Sequence, residues 1–173
     1  TGLITTRGFR DVLELRTLRM PRLYDLTWDK PPPLVDRYMR LEVDERVDAN
    51  GKVETLLDRA QVETVVDELV ALGAESIAVC LLNSFTYPEH ERLIGEVIAE
   101  RAPDVSYCLS VDVLPEIKEY ERTSTTVINA YLLPVVSRYL RKLETELVNT
   151  DIKAPLLLMQ SNGGLTPAET AAR

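Results

Sequence analysis

The middle of the chain alternates between helical and strand-like apolar patterns, and this alternation constrains the fold most. Apolar residues recur at helical spacing over residues 62–69, and Gly73 is placed to end that helix. A continuous apolar run over residues 76–82 is typical of a strand buried on both faces. A second helix over residues 88–101 and a second strand over residues 105–111 follow. This order predicts an α/β fold with a parallel or mixed sheet and flanking helices.

A β-hairpin is predicted in the N-terminal third. Polar and apolar residues alternate with period two over residues 38–43, and Asn50-Gly51 supplies a strong reversal signal. After the hairpin, Asp58 can cap the next helix, with Gln61 completing a capping box.

The segment before the hairpin predicts an extended, proline-rich arm. Residues 12–15 (VLEL) are consistent with a short helix, but the prolines within residues 19–33 exclude a regular helix. Tyr24, Leu26 and Trp28 alternate along this arm and could anchor it to a neighbouring surface.

A long helix is predicted from about residue 115 to residue 148, with a kink at Pro134. Another strand follows at residues 156–159, and Thr166-Pro167 resembles the start of a further helix. The predicted apolar stripe of the long helix consists of Val127, Ile128, Tyr131, Val135, Tyr139, Leu143 and Leu147.

Composition excludes several classes of protein. The net charge of −8 argues against nucleic acid as a partner, because phosphate binding requires a basic surface. No apolar run approaches the roughly 18 residues of a membrane span, so we expect no membrane partner. The N-terminal residues TGLITTRGFR lack the order of a signal peptide, which favours a cytoplasmic location. Cys80 and Cys108 lie in apolar runs and are expected to be buried thiols. His90 is the only histidine, which disfavours a structural zinc site, and it is expected in a solvated first helical turn.

The N-terminal segment has a local positive bias. It carries five arginines, which form either a solvated face or a contact with an anionic ligand or a partner subunit.

Three predicted strands end in polar residues, where ligands gather in open parallel sheets. Asn83-Ser84 follows the first strand, and Ser110 follows the second. The third end carries Ser161, Asn162, Gly163 and Gly164, and consecutive glycines there would let backbone amides approach an anion. A plain tight turn explains that third pattern equally well.

The start of the long helix carries a dense polar cluster. Glu121, Arg122 and Thr125 could form a buried polar network beside a ligand or a domain interface. Alternatively, these side chains bond to their own helix or face solvent. No serine has an evident histidine base, so the chain alone is not expected to carry a hydrolytic triad.

Several long segments resemble the hydantoinase/oxoprolinase A family, in that family's order. They are TTRGFRDVLEL, RLYDLTWDKPPPLV, EVDERVDANG, AVCLLNSFTYPEHE, VLPEIKEYERTSTTVINAYLLP and LLLMQSNGG.

The resemblance implies part of an actin-like (ribonuclease H-like) ATPase fold. The parent protein would use ATP and magnesium to activate a lactam oxygen by phosphorylation, so that a cyclic amide such as a hydantoin or 5-oxoproline is hydrolysed. The alternatives are a subunit of an ATP-dependent ketone carboxylase and a non-catalytic assembly module. A second large, B-type subunit or domain is the implied partner, and oligomers are possible.

The resemblance also implies that the chain is an internal piece. Residues 1–150 would form the latter part of the N-terminal domain, and residues 151–173 would enter the next, hydantoinase A, domain. The phosphate loops of the family are expected outside the chain, so the isolated chain should be inactive and bind no cofactor tightly. No catalytic residue can be carried over by name.

Overall fold

A computed structural model of the chain describes residues 1–17, 24–150, 154–160 and 163–171. They fall into two compact units, residues 1–131 and residues 132–173. The helices are α1 (Val12–Leu15), α2 (Arg59–Ala71), α3 (Glu89–Arg101), α4 (Ser110–Val113), α5 (Glu119–Asn149) and α6 (Ala168–Ala171). The strands are β1 (Gly2–Thr6), β2 (Arg40–Val43), β3 (Arg46–Val47), β4 (Val53–Thr55), β5 (Ser76–Cys80), β6 (Ser106–Leu109), β7 (Leu157–Met159) and β8 (Leu165–Pro167).

The first unit is built on a four-stranded sheet in the order β2-β1-β5-β6, and all its pairings are parallel. Every residue of β1 and β5 is buried, as expected for central strands that are covered on both faces of the sheet. The sheet, its flanking helices and a separate antiparallel hairpin confirm the predicted α/β class.

Helices α2 and α3 cover the sheet with the apolar faces that their periodicity predicts. In α2, residues Val62, Val65, Val66 and Leu69 are buried. The Asp58 side chain accepts a hydrogen bond from the Ala60 amide, which confirms the predicted cap. Gln61 does not complete a capping box: its side chain bonds to Asp44, at 2.8 Å to the Asp44 amide and 2.7 Å to the Asp44 carboxylate. Gln61 therefore bonds to Asp44, which is distant in the sequence, and not to the residue at the start of its own helix.

The predicted hairpin exists, but it involves different strands. The turn at Asn50-Gly51 joins β3 to β4, whereas β2 joins the main sheet in parallel with β1. The predicted alternation of β2 is also wrong, because Arg40 is buried. Its guanidinium donates to the Val35 carbonyl at 3.0 Å and pairs with Glu14 at 3.2 Å, which stabilises a buried charge at this position.

The long helix is confirmed, but its predicted apolar stripe is confirmed only in part: Val127 is buried and Leu143 and Leu147 are half-buried. Ile128, Tyr131, Val135 and Tyr139 are exposed. Apolar residues occur on two neighbouring faces of this helix, and packing in the folded protein decides which of the two faces is buried. The buried residues of α5 are Arg122, Thr123, Thr126, Val127, Ala130, Leu133, Ser137 and Leu140.

The arm is described from residue 24 onward; residues 18–23 lie outside the described ranges. Tyr24 and Leu26 are 91% and 101% exposed. A turn, rather than an extended strand, follows Tyr24, because the Trp28 amide donates to the Asp25 carbonyl. The predicted packing of this arm on a neighbouring surface stays a prediction.

In the second unit, β7 pairs with β8 in an antiparallel hairpin. Thr166 and Pro167 belong to β8 and not to the first helical turn, because Thr166 pairs with Leu158 across the hairpin. Within the ranges that the structure covers, no helix combines the length and apolar character needed to span a membrane.

Candidate functional site

The four strands of the main sheet end at the same edge, because they are parallel. The chain leaves β1 for β2 on one side of the sheet and leaves β5 for β6 on the other. Connections therefore diverge between β1 and β5, and in open α/β sheets such a point is where ligands bind beyond the carboxyl ends. We call this edge, with the residues that immediately follow the four strands, the carboxyl edge.

A buried carboxyl group, that of Glu91, links two loops at the carboxyl edge. Its Oε1 accepts hydrogen bonds from the Leu81 amide at 2.8 Å and the Ser110 hydroxyl at 2.7 Å. Its Oε2 accepts from the Val111 amide at 3.0 Å, and the Ser84 hydroxyl lies 3.2 Å from that of Ser110. Burial raises the pKa of Glu91, while these donors oppose that effect by favouring the ionised form. The group ties the ends of β5 and β6 together.

A second buried cluster joins β1, the end of β2 and α3. The Thr6 hydroxyl donates to Glu45 Oε1 and accepts from the Leu82 amide at 2.9 Å. The other oxygen of Glu45 lies 2.9 Å from His90 Nδ1. The ring of Tyr87 meets the His90 ring edge-on, with centroids 5.1 Å apart. Among the described residues His90 Nε2 has no hydrogen-bond partner.

The expectation that His90 lies in a solvated turn is wrong, and Glu91 is buried as well. A signal for both was available in the sequence. At 3.6 residues per turn, positions 90 and 91 share the side of α3 that carries the buried residues Ile94, Val97 and Ile98. Glu89 and Glu91 give this turn a charged character that masks the periodicity.

Arg122 is the predicted candidate that the structure places most clearly at this edge. It is 1% exposed, and its guanidinium donates to the carbonyl of Leu81 at 2.8 Å and to that of Glu116. It also lies over the Phe85 ring, 5.5 Å from the centroid. Arg122 Nε has no partner among the described residues.

A narrow cleft beside Arg122 lies at the point where connections diverge. Thr5 of β1, Cys80 at the end of β5 and Thr123 of α5 line it together with Arg122. The volume open to the centre of a water molecule is about 10 Å³, which is room for one water. Glu119 is a further polar residue of the cleft lining, beside Thr5, Arg122 and Thr123.

The first predicted strand end, Asn83-Ser84, also belongs to the carboxyl edge. Asn83 adopts a left-handed backbone conformation with φ of 55°, which asparagine tolerates better than most residues. Its side-chain amide donates to the Val47 carbonyl at 2.8 Å. Ser84 is buried and contacts Ser110 as described above.

The structure does not bring the remaining candidates to this edge. Thr125 is exposed and Glu121 is half-buried, and within the described ranges neither side chain forms a hydrogen bond. Successive helical residues point about 100° apart, so Arg122 can be buried while Glu121 and Thr125 are not. Gly163 and Gly164 are exposed and belong to the β7–β8 turn, where Gly163 has φ of 84°. Ser161 and Asn162, predicted with them, lie outside the described residues.

A wider cavity of about 210 Å³ lies between the arm and the start of α5. Its walls are mostly apolar, with the hydroxyls of Tyr120 and Ser124 and the side chain of Arg16 as polar groups. Arg16 is one of the five arginines that give the N-terminal segment its positive bias.

The described residues do not fit a magnesium–nucleotide site. They contain no group of three or more histidine, cysteine, aspartate or glutamate side chains able to hold a metal. The paired glycines lie in the β7–β8 turn, and strand β8 separates them from α6, so they do not lie at a helix N-terminus. Cys80 and Cys108 are free and buried, as predicted, and burial raises the pKa of both thiols. The edge can position backbone groups, but it presents no activated nucleophile.

Comparison with known proteins gives two family matches. Residues 1–102 match the hydantoinase/oxoprolinase N-terminal region, and residues 122–173 match the hydantoinase/oxoprolinase family.

Individual relatives align along nearly all of this chain. An uncharacterized protein of Methanocaldococcus jannaschii is 43% identical over 95% of the chain, which covers 24% of that relative. Caprolactamase subunit alpha of Pseudomonas jessenii is 34% identical over 96% of the chain, which again covers 24% of the relative. The 5-oxoprolinase of Saccharomyces cerevisiae is 31% identical over 95% of the chain, which covers 14% of it. The chain thus spans a quarter or less of these relatives.

Two solved structures share the fold. The ATP-dependent caprolactamase of Pseudomonas jessenii superposes with a TM-score of 0.89 at 34% identity, over 96% of this chain and 24% of the other. The nucleotide-free acetone carboxylase superposes with a TM-score of 0.82 at 26% identity, over 99% of this chain and 26% of the other. With the family match over residues 1–102, these similarities establish that the chain belongs to the hydantoinase/oxoprolinase family.

Proposed function

We propose that the protein containing this chain is an ATP-dependent hydrolase of cyclic amides. The proposal rests on the similarity to the ATP-dependent caprolactamase, at 34% identity and a TM-score of 0.89 over nearly the whole chain. The 5-oxoprolinase relative also acts, by its name, on a cyclic amide. The substrate class that we propose is therefore a small lactam or hydantoin.

The role that we propose for these residues is to shape one wall of the site. The carboxyl edge brings together loops from four parallel strands, and buried side chains hold them in place. We propose that the nucleotide, its magnesium ion and the groups that carry out phosphoryl activation are held by parts of the parent outside the described residues.

A second candidate function is ATP-dependent carboxylation of a small ketone. It is favoured by the similarity to acetone carboxylase, which extends over 99% of the chain at a TM-score of 0.82. The lower identity, 26% against 34%, places this candidate second.

The deciding experiment measures ADP release by the parent protein, purified with its partner subunit and supplied with ATP and magnesium. Caprolactam, 5-oxoproline and a hydantoin are compared with acetone and acetophenone in the presence of bicarbonate. We expect a lactam or hydantoin to stimulate ADP release with equimolar ring opening. Stimulation only by a ketone with bicarbonate would refute the hydrolase and support the carboxylase.

Two further parts of the proposal concern assembly. We propose a second large subunit as partner, since the caprolactamase relative is itself named as a subunit, and we propose a cytoplasmic location. The division of the chain into a domain up to residue 150 and the start of the next domain after it stays a prediction.

A further inference from the structure

Leu81, the first residue after β5, is held by two buried side chains that come from different helices. Its amide donates to Glu91 of α3, and its carbonyl accepts from Arg122 of α5, each at 2.8 Å. Glu91 and Arg122 are 0% and 1% exposed. Both backbone groups of one residue are thus bonded to ionisable side chains that are out of contact with solvent.

The residues after Leu81 are fixed as well. We call residues 81–84 the β5 loop. The Leu82 amide donates to the Thr6 hydroxyl at 2.9 Å, and the Asn83 side chain donates to the Val47 carbonyl at 2.8 Å. These bonds hold Asn83 at a positive φ of 55°, a conformation that persists where the surroundings determine it. Contacts within the chain therefore define the conformation of the loop.

Burying the side chains of Glu91 and Arg122 requires both groups to lose their contact with water. Moving a carboxylate or a guanidinium out of water is unfavourable, and a well-packed apolar pair of similar volume often gives equal or better stability. The Arg122 guanidinium bonds to the carbonyls of Leu81 and Glu116, and Glu91 accepts from the Leu81 amide, so Leu81 joins the two side chains. The bonds of Glu91 and Arg122 fix the positions of both backbone groups of Leu81, which an apolar pair could not do.

We propose that Glu91 and Arg122 are a coupled pair of positioning residues that set the β5 loop for small-molecule binding at the carboxyl edge. This inference rests on the proposed function and adds to it, because it names the residues that shape the site from this chain. Neither residue is proposed to touch reacting atoms. Each acts through Leu81, at the point between β1 and β5 where the connections diverge.

The test uses the complete parent protein with its partner subunit. Glu91→Gln keeps the side-chain volume but turns one acceptor into a donor, and Arg122→Lys keeps the charge but loses the planar fork that reaches two carbonyls. Glu96→Gln in α3 and Arg138→Lys in α5 are matched controls, since both side chains are exposed. The readouts are hydrogen exchange of peptides covering residues 81–84 and the kcat and KM of lactam-stimulated ADP release.

We expect Glu91→Gln and Arg122→Lys each to speed hydrogen exchange in the β5 loop at least tenfold and to lower kcat/KM at least tenfold. Both readouts are taken at a temperature below the thermal unfolding of the variant. The double variant should lose less than the product of the single losses, because both residues hold Leu81. The controls should stay within twofold of wild type. Ser110→Ala, which removes one donor to Glu91, should cause smaller changes in the same direction even if Glu91→Gln does not fold.

Two results would overturn the inference. Unchanged exchange in the β5 loop would show that the pair does not hold it. Faster exchange with unaltered kcat and KM would show a purely structural role. If wild type responds only to a ketone with bicarbonate, the hydrolase proposal fails, and the same variants are then compared with that substrate, so the two failures are separable.

Discussion

Removal of a single hydroxyl, in Thr6→Val, tests the buried cluster that joins β1, β2 and β5. The Thr6 hydroxyl is the donor to Glu45 and the acceptor for the Leu82 amide. Valine has nearly the same shape, so the substitution removes both hydrogen bonds without opening a cavity. An unsatisfied buried amide costs about 1–3 kcal/mol, and a lost bond to a carboxylate costs about 1.5–3 kcal/mol.

We expect a total loss of about 3 kcal/mol in the free energy of unfolding, which is less than the upper sum because Leu82 is only half-buried and water can reach its amide. Such a loss corresponds to roughly a 100-fold change in the folding equilibrium.

Thr126→Val is the matched control, because Thr126 is also fully buried but its hydroxyl bonds only to the Arg122 carbonyl of its own helix. That carbonyl keeps its backbone partner after the substitution, so we expect a loss of about 0.5 kcal/mol. Urea denaturation of the 173-residue chain, followed by far-ultraviolet circular dichroism, measures both losses as shifts in the midpoint at constant slope. Equal losses for the two variants would refute the assignment of the Thr6 cluster as a stabilising network.

Three further predictions follow from burial and exposure. Cys80 and Cys108 should resist alkylation by iodoacetamide at pH 8 in the folded chain and react after denaturation. Both side chains are buried, and burial raises the pKa of their thiols. Rapid alkylation of the native chain would contradict this prediction. Because burial raises the pKa of Glu91, the folded state holds that proton to higher pH than the unfolded state does. The stability of wild type relative to Glu91→Gln should therefore fall as pH rises above the ordinary value of 4.5, and a rise over that interval would overturn the direction of the shift. Tyr24→Ala and Leu26→Ala should reduce recovery of the partner subunit with the parent protein, since both side chains are exposed and available for contact. Leu56→Ala is the control, because Leu56 is 75% exposed and lies outside the arm. Undiminished recovery with the two arm variants would exclude the arm as a contact.

Local patterns account for much of the fold. Helices α2 and α3 and strands β5 and β6 were predictable because their apolar residues follow one period and turn residues such as Gly73 bound them. The site was predictable only in part. Arg122, Asn83 and Ser84 were identified as candidates and lie at the carboxyl edge, whereas Glu121 and Thr125 do not take part in its hydrogen bonds.

The sequence by itself determined the α/β class, the family and the order of the central elements, because these depend on periodicity and on motifs that are contiguous in the chain. Tertiary structure alone decided the partners of side chains that meet across long separations. Glu91 bonds to Leu81 and Ser110, Thr6 bonds to Glu45, and β2 pairs with β1 across more than thirty residues. Burial in one core turns a charged residue such as Glu91 from a solvated side chain into an acceptor for backbone amides, and no local pattern specifies which amides will be within reach.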